Sequence, residues 1–235
     1  NIQLDELNAT KDRLFSIIAH DLRTPVYLLK ESNLRLKKAL IKNELTDLEK
    51  QLDLNINMTE NTYSMLDNLL YWSLEQKNGS FYKKEQLPLH SIVEQVLVNY
   101  GNALKIKDIR LDKNIPEGIQ VYADSNAIKI VLRNIIDNAI KFTQDGGFIK
   151  IDAGIYENQA ELVVKDNGIG INKAMLDTIK SGKTVRQKDT SGRTSTGLGL
   201  ELCRIMTEKN AGRLMIESEE GKGTSVKIVL ELVKK

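Results

Sequence analysis

The sequence is poor in the residues that form disulfides and histidine-rich metal centres. It contains one cysteine, Cys203, and two histidines, His20 and His90. One cysteine excludes an intrachain disulfide and a multi-cysteine zinc site within a single chain. Two histidines exclude a three-histidine zinc centre, so any histidine chemistry must run through His20 or His90. The scarcity of cysteine also suits a reducing compartment, and a cytoplasmic location is expected.

Long apolar runs and an excess of one charge are missing as well. No stretch approaches the roughly 20 apolar residues of a membrane span, so this part of the chain is expected to make no direct membrane contact. The 34 Lys and Arg residues against 32 Asp and Glu residues leave a net charge of +2, which is too balanced for a protein held mainly by nucleic-acid phosphates. The first residue is Asn1 rather than Met, so we expect a fragment that follows an upstream sensor or membrane anchor.

Glycine and proline are almost absent from the first third of the sequence. Residues 1–77 contain no glycine and a single proline, Pro25, whereas all 15 glycines follow. This shift predicts two domains, residues 1–78 and 79–235. In the first domain, apolar residues recur every three or four positions from Leu4 to Leu40 and again from Leu45 to Leu70, which predicts two long helices in an antiparallel hairpin. One hairpin offers too little surface to bury both stripes, so we expect two chains to form a dimeric four-helix bundle.

The second domain alternates between strand-like and helical periods, which predicts an α+β sandwich. Strands are expected near Phe81 to Gln86, Ile109 to Asp112, Ile119 to Tyr122, Phe148 to Ile155, Glu161 to Asp166, Arg213 to Ser218 and Ser225 to Leu232. Helices are expected over Leu89 to Lys105, Ser125 to Phe142 and Leu198 to Asn210. The polar segment from Asn172 to Thr196 has few apolar residues and is predicted to be a mobile loop or lid.

Four separated clusters in this domain have the residue types of a phosphate-binding site. They are Asn134 to Thr143 on a helix, Asp166-Asn167-Gly168-Ile169-Gly170 at a strand end, Thr196-Gly197-Leu198-Gly199 before a helix, and Gly221-Lys222-Gly223-Thr224 in a hairpin. Asn134 and Asn138 share a helical face, and an Asn side chain offers the neutral oxygen that Mg²⁺ accepts beside phosphate oxygens. Lys141 is close to that face. Glycines let backbone N–H groups approach a ligand, and a strand-end aspartate accepts a hydrogen bond from an exocyclic amine.

In this order, the clusters resemble the GHKL ATPases, which have the Bergerat nucleotide-binding fold, over residues 80 to 235. The resemblance implies that the domain binds ATP and Mg²⁺, with Asn138 on the metal and Asn134 and Lys141 near the phosphates. It implies that Asp166 binds adenine with support from Thr224. The remaining implied nucleotide-binding positions are the glycines Gly168, Gly170, Gly197 and Gly199.

The first predicted helix carries Phe15-Ser16-Ile17-Ile18-Ala19-His20-Asp21-Leu22-Arg23-Thr24-Pro25. An imidazole is a competent nucleophile when a neighbouring carboxylate takes its proton. The segment closely resembles the H-box of sensor histidine kinases of the HisKA type. That resemblance implies that His20 accepts phosphate, that Asp21 is the general base, and that Thr24 positions water to dephosphorylate a partner. The expected function is autophosphorylation of His20 from ATP and phosphotransfer to an aspartate of a response-regulator receiver domain.

Two alternatives to this kinase remain at this point. In the first, the protein acts mainly as a response-regulator phosphatase for which ATP is an effector. In the second, it is a non-catalytic dimeric scaffold that senses nucleotide.

Overall fold

The computed structural model describes residues 26–41, 83–181, 190 and 198–233, together with eight isolated positions between 48 and 66. The chain divides into two compact units, Asn1–Gly79 and Ser80–Lys235. Of the residues given functional roles above, His20, Asp21, Thr24 and Gly197 lie outside the described residues, as do Pro25, the predicted helical positions before residue 26 and the predicted lid after Ser181 except for Thr190. No helix among the described residues has the length and apolar content needed to cross a bilayer.

In the first unit, residues 26–41 are helical, and so are the described positions from 48 to 66. Ser32, Leu36 and Ala39 form a buried stripe with the spacing of one helical face. The Asn55 Nδ2 atom donates to Asn33 Oδ1 at 2.7 Å, which joins the two helical segments. Large apolar side chains elsewhere on both segments remain exposed, namely Val26, Tyr27, Leu28, Leu34, Leu40, Ile41, Leu52, Ile56 and Leu66.

The second unit contains seven strands and five helices within its described residues. The strands are β1 (Lys84–Pro88), β2 (Arg110–Asn114), β3 (Gln120–Asp124), β4 (Phe148–Tyr156), β5 (Gln159–Asp166), β6 (Arg213–Glu219) and β7 (Gly223–Glu231). The helices are α1 (Leu89–Leu97), α2 (Gly101–Ile106), α3 (Ser125–Phe142), α4 (Lys173–Lys180) and α5 (Leu198–Lys209), and a 3₁₀ turn, Val98–Tyr100, separates α1 from α2.

These strands form one mixed sheet and one small ribbon. The five-stranded sheet has the order β2-β4-β5-β7-β6, and β1 pairs with β3 in a separate two-stranded ribbon. Only the β2–β4 pair is parallel; the other pairs are antiparallel. The predicted α+β class is therefore confirmed. Antiparallel β5 and β7 bring the end of β5 beside the start of β7, with Lys165 opposite Ser225, and this pairing positions the site described below.

The core lies between one face of the sheet and helices α3 and α5. On β5, Ala160, Leu162 and Val164 are buried and alternate with partly exposed residues, as expected for a strand with one covered face. Helix α3 contributes nine buried residues, which include Ile128, Leu132, Ile135 and Ile136. Met206 and Cys203 of α5 are fully buried against them, so the polar residues of α3 are confined to the side of the helix away from the core.

Helix α3 begins at a buried polar cap. Asp124 Oδ1 accepts from the Ala127 backbone N–H at 2.8 Å, and Oδ2 accepts from the Lys83 N–H at 2.8 Å. The Asp124 backbone N–H donates to Asn210 Oδ1 at 2.7 Å, and Asn210 is fully buried. An N-cap carboxylate of this kind satisfies N–H groups that the helix cannot pair internally, so the start of α3 is fixed to the end of α5.

Two predicted elements differ from the structure. The single helix expected from Leu89 to Lys105 is interrupted by the 3₁₀ turn, where Asn99 and Gly101, which have low helix propensity, flank Tyr100. The prediction of a loop or lid from Asn172 to Thr196 is wrong for its first third, because α4 occupies Lys173–Lys180. Asn172 Oδ1 caps this helix by accepting from the Met175 N–H at 2.9 Å, and Leu176 anchors it as its one buried residue.

Candidate functional site

The polar side of α3 carries three of the residues singled out in the sequence. Asn134, Asn138 and Lys141 are all half-buried. The Asn134 Nδ2 atom donates to Ile130 O at 2.9 Å, which leaves its Oδ1 pointing away from that bond. The Asn138 side chain makes no hydrogen bond among the described residues. Its side-chain oxygen is therefore available to a ligand.

Asp166 lies at the end of β5 and is 6% exposed. Its Oδ1 accepts from the Gly168 N–H at 2.8 Å and from the Thr224 N–H at 3.2 Å. Burial raises the pKa of this carboxyl, and the two backbone N–H groups oppose that effect. Because both bonds end on Oδ1, the carboxylate has a fixed orientation and Oδ2 is left for another donor.

Ser218, which the sequence analysis did not single out, completes this cluster. Its Oγ lies 2.9 Å from Thr224 Oγ1 and accepts from the Ile171 N–H at 2.9 Å. It also lies within hydrogen-bond distance, 2.9 Å, of Gly223 O. Ser218 is opposite Thr224 in the β6–β7 register, so the register of this Gly-containing hairpin is the signal that would have identified it. The two hydroxyls tie the hairpin to the loop that follows Asp166.

The glycines of the Asp166 loop are required by the chain itself. A Cβ at Gly168 would overlap the backbone carbonyl of Phe142, at the end of α3, and a Cβ at Gly170 would overlap the backbone of Glu219. Gly170 also has φ +64°, a conformation that glycine adopts without strain. The close approach that these glycines permit is thus between the loop, α3 and the β6–β7 hairpin.

Gly199, in the first turn of α5, faces Asn134. A Cβ on this glycine would lie 2.6 Å from Asn134 Oδ1, so a larger residue would displace the amide. The structure thereby brings together two groups of predicted positions: Asn134 with Gly199, and Asp166 with Gly168 and Thr224.

These two groups lie at opposite ends of the same helix face. Gly168 packs on Phe142, and Phe142 is eight residues from Asn134, which corresponds to about 12 Å along a helix. Asn138 and Lys141 lie between them. A ligand that contacts both ends must therefore be elongated, with a hydrogen-bond donor at the Asp166 end and acceptor or anionic groups near Asn138 and Lys141.

The side chains along α3 fit a metal ion that is bound partly by the protein and partly by the elongated ligand. No group of three or more His, Cys, Asp or Glu side chains suited to a metal ion occurs within the described ranges. Mg²⁺ is commonly held by one or two protein oxygens, water and phosphate oxygens rather than by a full protein cage. Asn138 supplies one such neutral oxygen, so the remaining ligands would come from the bound molecule.

The carboxyl end of α3 is capped by Lys107, a residue that sequence reasoning missed. Its Nζ atom donates to Ile140 O at 2.8 Å, to Thr143 O at 2.6 Å and to Thr190 Oγ1 at 3.1 Å. An ammonium group at this end satisfies free carbonyls and complements the helix dipole. Lysines are common in this sequence, and nothing in the spacing of Lys107 indicates the contact.

An open cleft of about 750 Å³ lies elsewhere, on β4, β5 and β7, and contains none of the predicted site residues. Its lining includes Glu161, which pairs with Lys227 at 2.8 Å, and Asp152, which pairs with Lys150 at 3.0 Å. These charges are already partnered on a solvent-facing surface, so the chemistry indicated by the sequence does not reside there.

Comparisons with known proteins also point to a nucleotide-binding domain. Residues 123–234 match the family described as histidine kinase-, DNA gyrase B-, and HSP90-like ATPase. The chain is 29% identical over 233 residues to the adaptive-response sensory kinase SasA of Crocosphaera subtropica, an alignment that covers 94% of this chain and 59% of SasA. The chain thus spans about three fifths of the length of that relative.

Two solved structures have the same fold. The histidine kinase AdeS of Acinetobacter baumannii aligns over 92% of this chain and 98% of its own, with a TM-score of 0.64 and 22% identity. The histidine kinase ThkA, solved in complex with the response regulator protein TrrA, aligns over 97% of this chain and 62% of its own, with a TM-score of 0.65 and 23% identity. Residues 123–234 are thus similar to the histidine kinase-, DNA gyrase B- and HSP90-like ATPase family, and 94% of the chain is similar to a sensory kinase.

Proposed function

We propose that this chain transfers the γ-phosphoryl group of ATP to His20 and then to an aspartate of a response-regulator receiver domain. The observation that carries the proposal is that described members of the four sequence clusters meet at α3 and the end of β5: Gly199 lies against Asn134, and Asp166 binds Thr224 beside Gly168, which packs on Phe142. One end of the polar face of α3 offers a fixed carboxylate, the other offers the Asn134 amide and a helix start, and Asn138 and Lys141 lie between them. This pattern suits adenine at one end and a triphosphate at the other.

At the adenine end, Asp166 Oδ2 accepts a hydrogen bond from the exocyclic amine. The orientation is fixed because Oδ1 is held by the N–H groups of Gly168 and Thr224. Thr224 Oγ1, held by Ser218, faces the same region and supports the base. A guanine, which has a carbonyl where adenine has the amine, would place an acceptor against the carboxylate and be rejected.

Toward the phosphates, Asn138 would hold Mg²⁺ together with the nucleotide, with Asn134 and Lys141 on either side of it along α3. The metal ion would neutralise charge on the phosphate oxygens. The start of α5, at Gly199, adds the N–H groups and the dipole that favour an anion. Gly197, in the preceding residues, is proposed to serve the same purpose.

The phosphoryl step uses His20 as nucleophile. An imidazole nitrogen of His20 forms a bond to the γ-phosphorus while the bond from that phosphorus to the β–γ bridging oxygen breaks, and ADP leaves. Asp21 accepts the imidazole proton, which keeps the phosphorylated ring neutral. The phosphoryl group then moves from nitrogen to a carboxylate oxygen of the receiver aspartate.

We also propose that the chain works as a homodimer through its helical unit. The supporting observation is the set of large apolar side chains exposed on the two helical segments, of which Leu40 and Ile41 are 64% and 76% exposed. An accumulation of exposed apolar side chains favours an interaction site, and a second copy would bury them in a four-helix arrangement. Light scattering after size exclusion should give twice the chain mass; a monomer at all micromolar concentrations would contradict this part of the proposal.

The kinase proposal is tested with γ-labelled ATP and Mg²⁺ on the full chain. We expect label that is stable in base and lost in acid, as for a phosphorus–nitrogen bond. His20→Gln should remove the label, and His90→Gln, which changes the only other histidine, should keep it. Binding of ATP is measured in parallel, so that a failure to bind is not mistaken for a failure to transfer.

Each outcome separates the alternatives. Label on His20→Gln equal to wild type would contradict the assignment of the phosphorylated residue. Nucleotide binding without any label in wild type would favour the nucleotide-sensing scaffold and overturn the kinase proposal. Label from α-labelled ATP would show adenylylation instead of phosphoryl transfer.

We also propose that the chain dephosphorylates the response regulator, which would reverse the effect of phosphotransfer. Thr24 follows His20 by four residues in the sequence, a spacing that would put both on one face of a helix, and is proposed to position the attacking water. Thr24→Ala should therefore lose dephosphorylation of a phosphorylated receiver domain and keep autophosphorylation. Equal loss of both activities would contradict the role given to Thr24.

A further inference from the structure

The hydroxyl group of Ser218 has three neighbours, which together use all of its hydrogen-bonding capacity. A serine hydroxyl offers one proton and two lone pairs. The Ile171 backbone N–H donates to Ser218 Oγ at 2.9 Å, and Thr224 Oγ1 and Gly223 O each lie 2.9 Å from the same atom. Ile171 belongs to the loop that follows Asp166, so Ser218 joins that loop to the start of β7.

These neighbours fix the direction of each proton. The carbonyl oxygen of Gly223 has no proton, so at 2.9 Å it accepts the proton of Ser218. One lone pair of Ser218 accepts from the Ile171 N–H, and the other is left for Thr224. The hydroxyl proton of Thr224 therefore points at Ser218. The opposite direction would leave the oxygens of Ser218 and Gly223 facing each other without a proton between them.

Thr224 is thereby left with only lone pairs to offer a ligand. Its Oγ1 makes no other hydrogen bond within the described part of the chain. Asp166 lies beside it, since the Thr224 N–H donates to Asp166 Oδ1 at 3.2 Å, and Oδ2 of that carboxylate is a second acceptor. Two neighbouring acceptors suit an amino group, which has two N–H donors, and oppose a carbonyl oxygen, which has none.

We infer that Ser218 is a positioning residue that sets the choice of base: by accepting the hydroxyl proton of Thr224, it keeps Thr224 an acceptor and disfavours purines with a carbonyl in place of the adenine amino group. The inference rests on the proposed function, because it takes the ligand at this end of α3 to be a nucleoside triphosphate. Ser218 acts on the base only through Thr224.

The test compares the dissociation constants of ATP and inosine triphosphate for the full chain with Mg²⁺, measured by calorimetric titration. The preference for ATP is the ratio of the two constants, and a general loosening of the site weakens both nucleotides and leaves this ratio unchanged. In Ser218→Ala, the Thr224 proton is free to turn toward a carbonyl. The preference should therefore fall by about three- to tenfold, the range expected for one hydrogen bond, through tighter binding of inosine triphosphate relative to ATP.

A double-mutant cycle shows whether Ser218 acts through Thr224. Thr224→Val should lower the preference by a similar factor, because it removes the acceptor that favours an amine and opposes a carbonyl. The double variant should fall no further than the larger of the two single effects. Ser218→Thr keeps the hydroxyl group and should retain the wild-type preference.

Ser225→Ala is the matched control. Ser225 is the next residue along β7, so its side chain lies on the opposite face of the sheet from that of Thr224, and the substitution should alter neither dissociation constant.

Neutron diffraction from crystals of the deuterated wild-type chain reads the proton directions without any substitution. We expect the deuterium of Thr224 directed at Ser218 Oγ and the deuterium of Ser218 directed at Gly223 O. A deuterium of Ser218 directed at Thr224 would overturn the inference.

The outcomes of the titrations distinguish this inference from the proposed function. A wild-type chain that binds neither nucleotide would overturn both. A wild-type chain that prefers ATP, with the same preference in Ser218→Ala or with single effects that multiply in the double variant, would overturn the inference alone.

Discussion

Replacing Asp166 by asparagine tests the adenine end of the site at a single atom. The variant keeps an oxygen at Oδ1, where the N–H groups of Gly168 and Thr224 donate at 2.8 Å and 3.2 Å. A flipped amide would place its NH₂ group against those two donors, so the orientation is fixed. The NH₂ group must then occupy the position of Oδ2, and it faces the exocyclic amine of adenine donor to donor.

The size of the effect follows from the bond that is lost. A hydrogen bond to a charged group contributes about 1.5–3 kcal/mol, which corresponds to about a 10- to 150-fold rise in the ATP dissociation constant. Calorimetric titration of the full chain with Mg²⁺ and ATP measures this change directly. Asp152→Asn is the control, because Asp152 pairs with Lys150 at 3.0 Å on β4, outside the site, and its affinity for ATP should equal that of wild type.

Inosine triphosphate, which carries a carbonyl in place of the exocyclic amine, refines the test. Wild-type protein should prefer ATP to inosine triphosphate, and Asp166→Asn should lose this preference or reverse it. The reasoning is refuted if the variant binds ATP as tightly as wild type does, or if its ratio of the two affinities is unchanged.

The same substitution should weaken ATP binding without lowering the free energy of unfolding. Burial raises the pKa of Asp166 above its ordinary value of 3.8, so the folded state binds this proton more tightly than the unfolded state. The contribution of Asp166 to the free energy of unfolding therefore falls as the pH rises from the ordinary pKa to the raised one, and it stays low above that range. At neutral pH, Asp166→Asn should be at least as stable as wild type in urea unfolding. On acidification, the free energy of unfolding of wild type should rise relative to that of the variant.

Three further predictions concern the framework of the site. Gly170→Ala should lower the free energy of unfolding by more than the roughly 1–2 kcal/mol of a left-handed conformation, because its Cβ also overlaps the backbone of Glu219; urea unfolding equal to wild type would contradict this. Asp124→Ala should cost about 1–2 kcal/mol or more through loss of the α3 cap, measured the same way, with a smaller loss in Asp124→Asn. Thr143→Val should be neutral or stabilising by about 1 kcal/mol, because Thr143 Oγ1 is buried without a hydrogen-bond partner among the described residues; a clear loss in thermal unfolding would refute that interpretation.

Helix α3 and the sheet were predictable because their signals are local and strong. The bounds of α3, Ser125–Phe142, are those predicted, since an aspartate cap precedes a long apolar stripe. The strands of the main sheet follow from alternation along each segment, and β5 ends at Asp166 as expected. The local pattern alone therefore places Asn138 on a helix face and Asp166 at a strand end.

What the sequence did not reveal depends on contacts between distant segments. Ser218 joins the site through the hairpin register, and Lys107 through bonds to residues 33 to 83 positions away. Helix α4 was missed because Leu176 is its one buried residue, which is too weak a periodic signal. The space beside Gly168 and Gly170 is filled by the chain itself, a tertiary property that no glycine spacing encodes.

The central claim is that the Ser80–Lys235 unit holds Mg²⁺-bound adenine nucleotide along α3 and at the end of β5. Hydrogen exchange of the full chain, with and without Mg²⁺ and a non-hydrolysable ATP analogue, tests it most directly. The account predicts protection in the peptides that contain Asn134 to Lys141, Asp166 to Gly170 and Thr224. It is contradicted if millimolar analogue protects none of these peptides, or if protection appears instead around the cleft on β4 and β5.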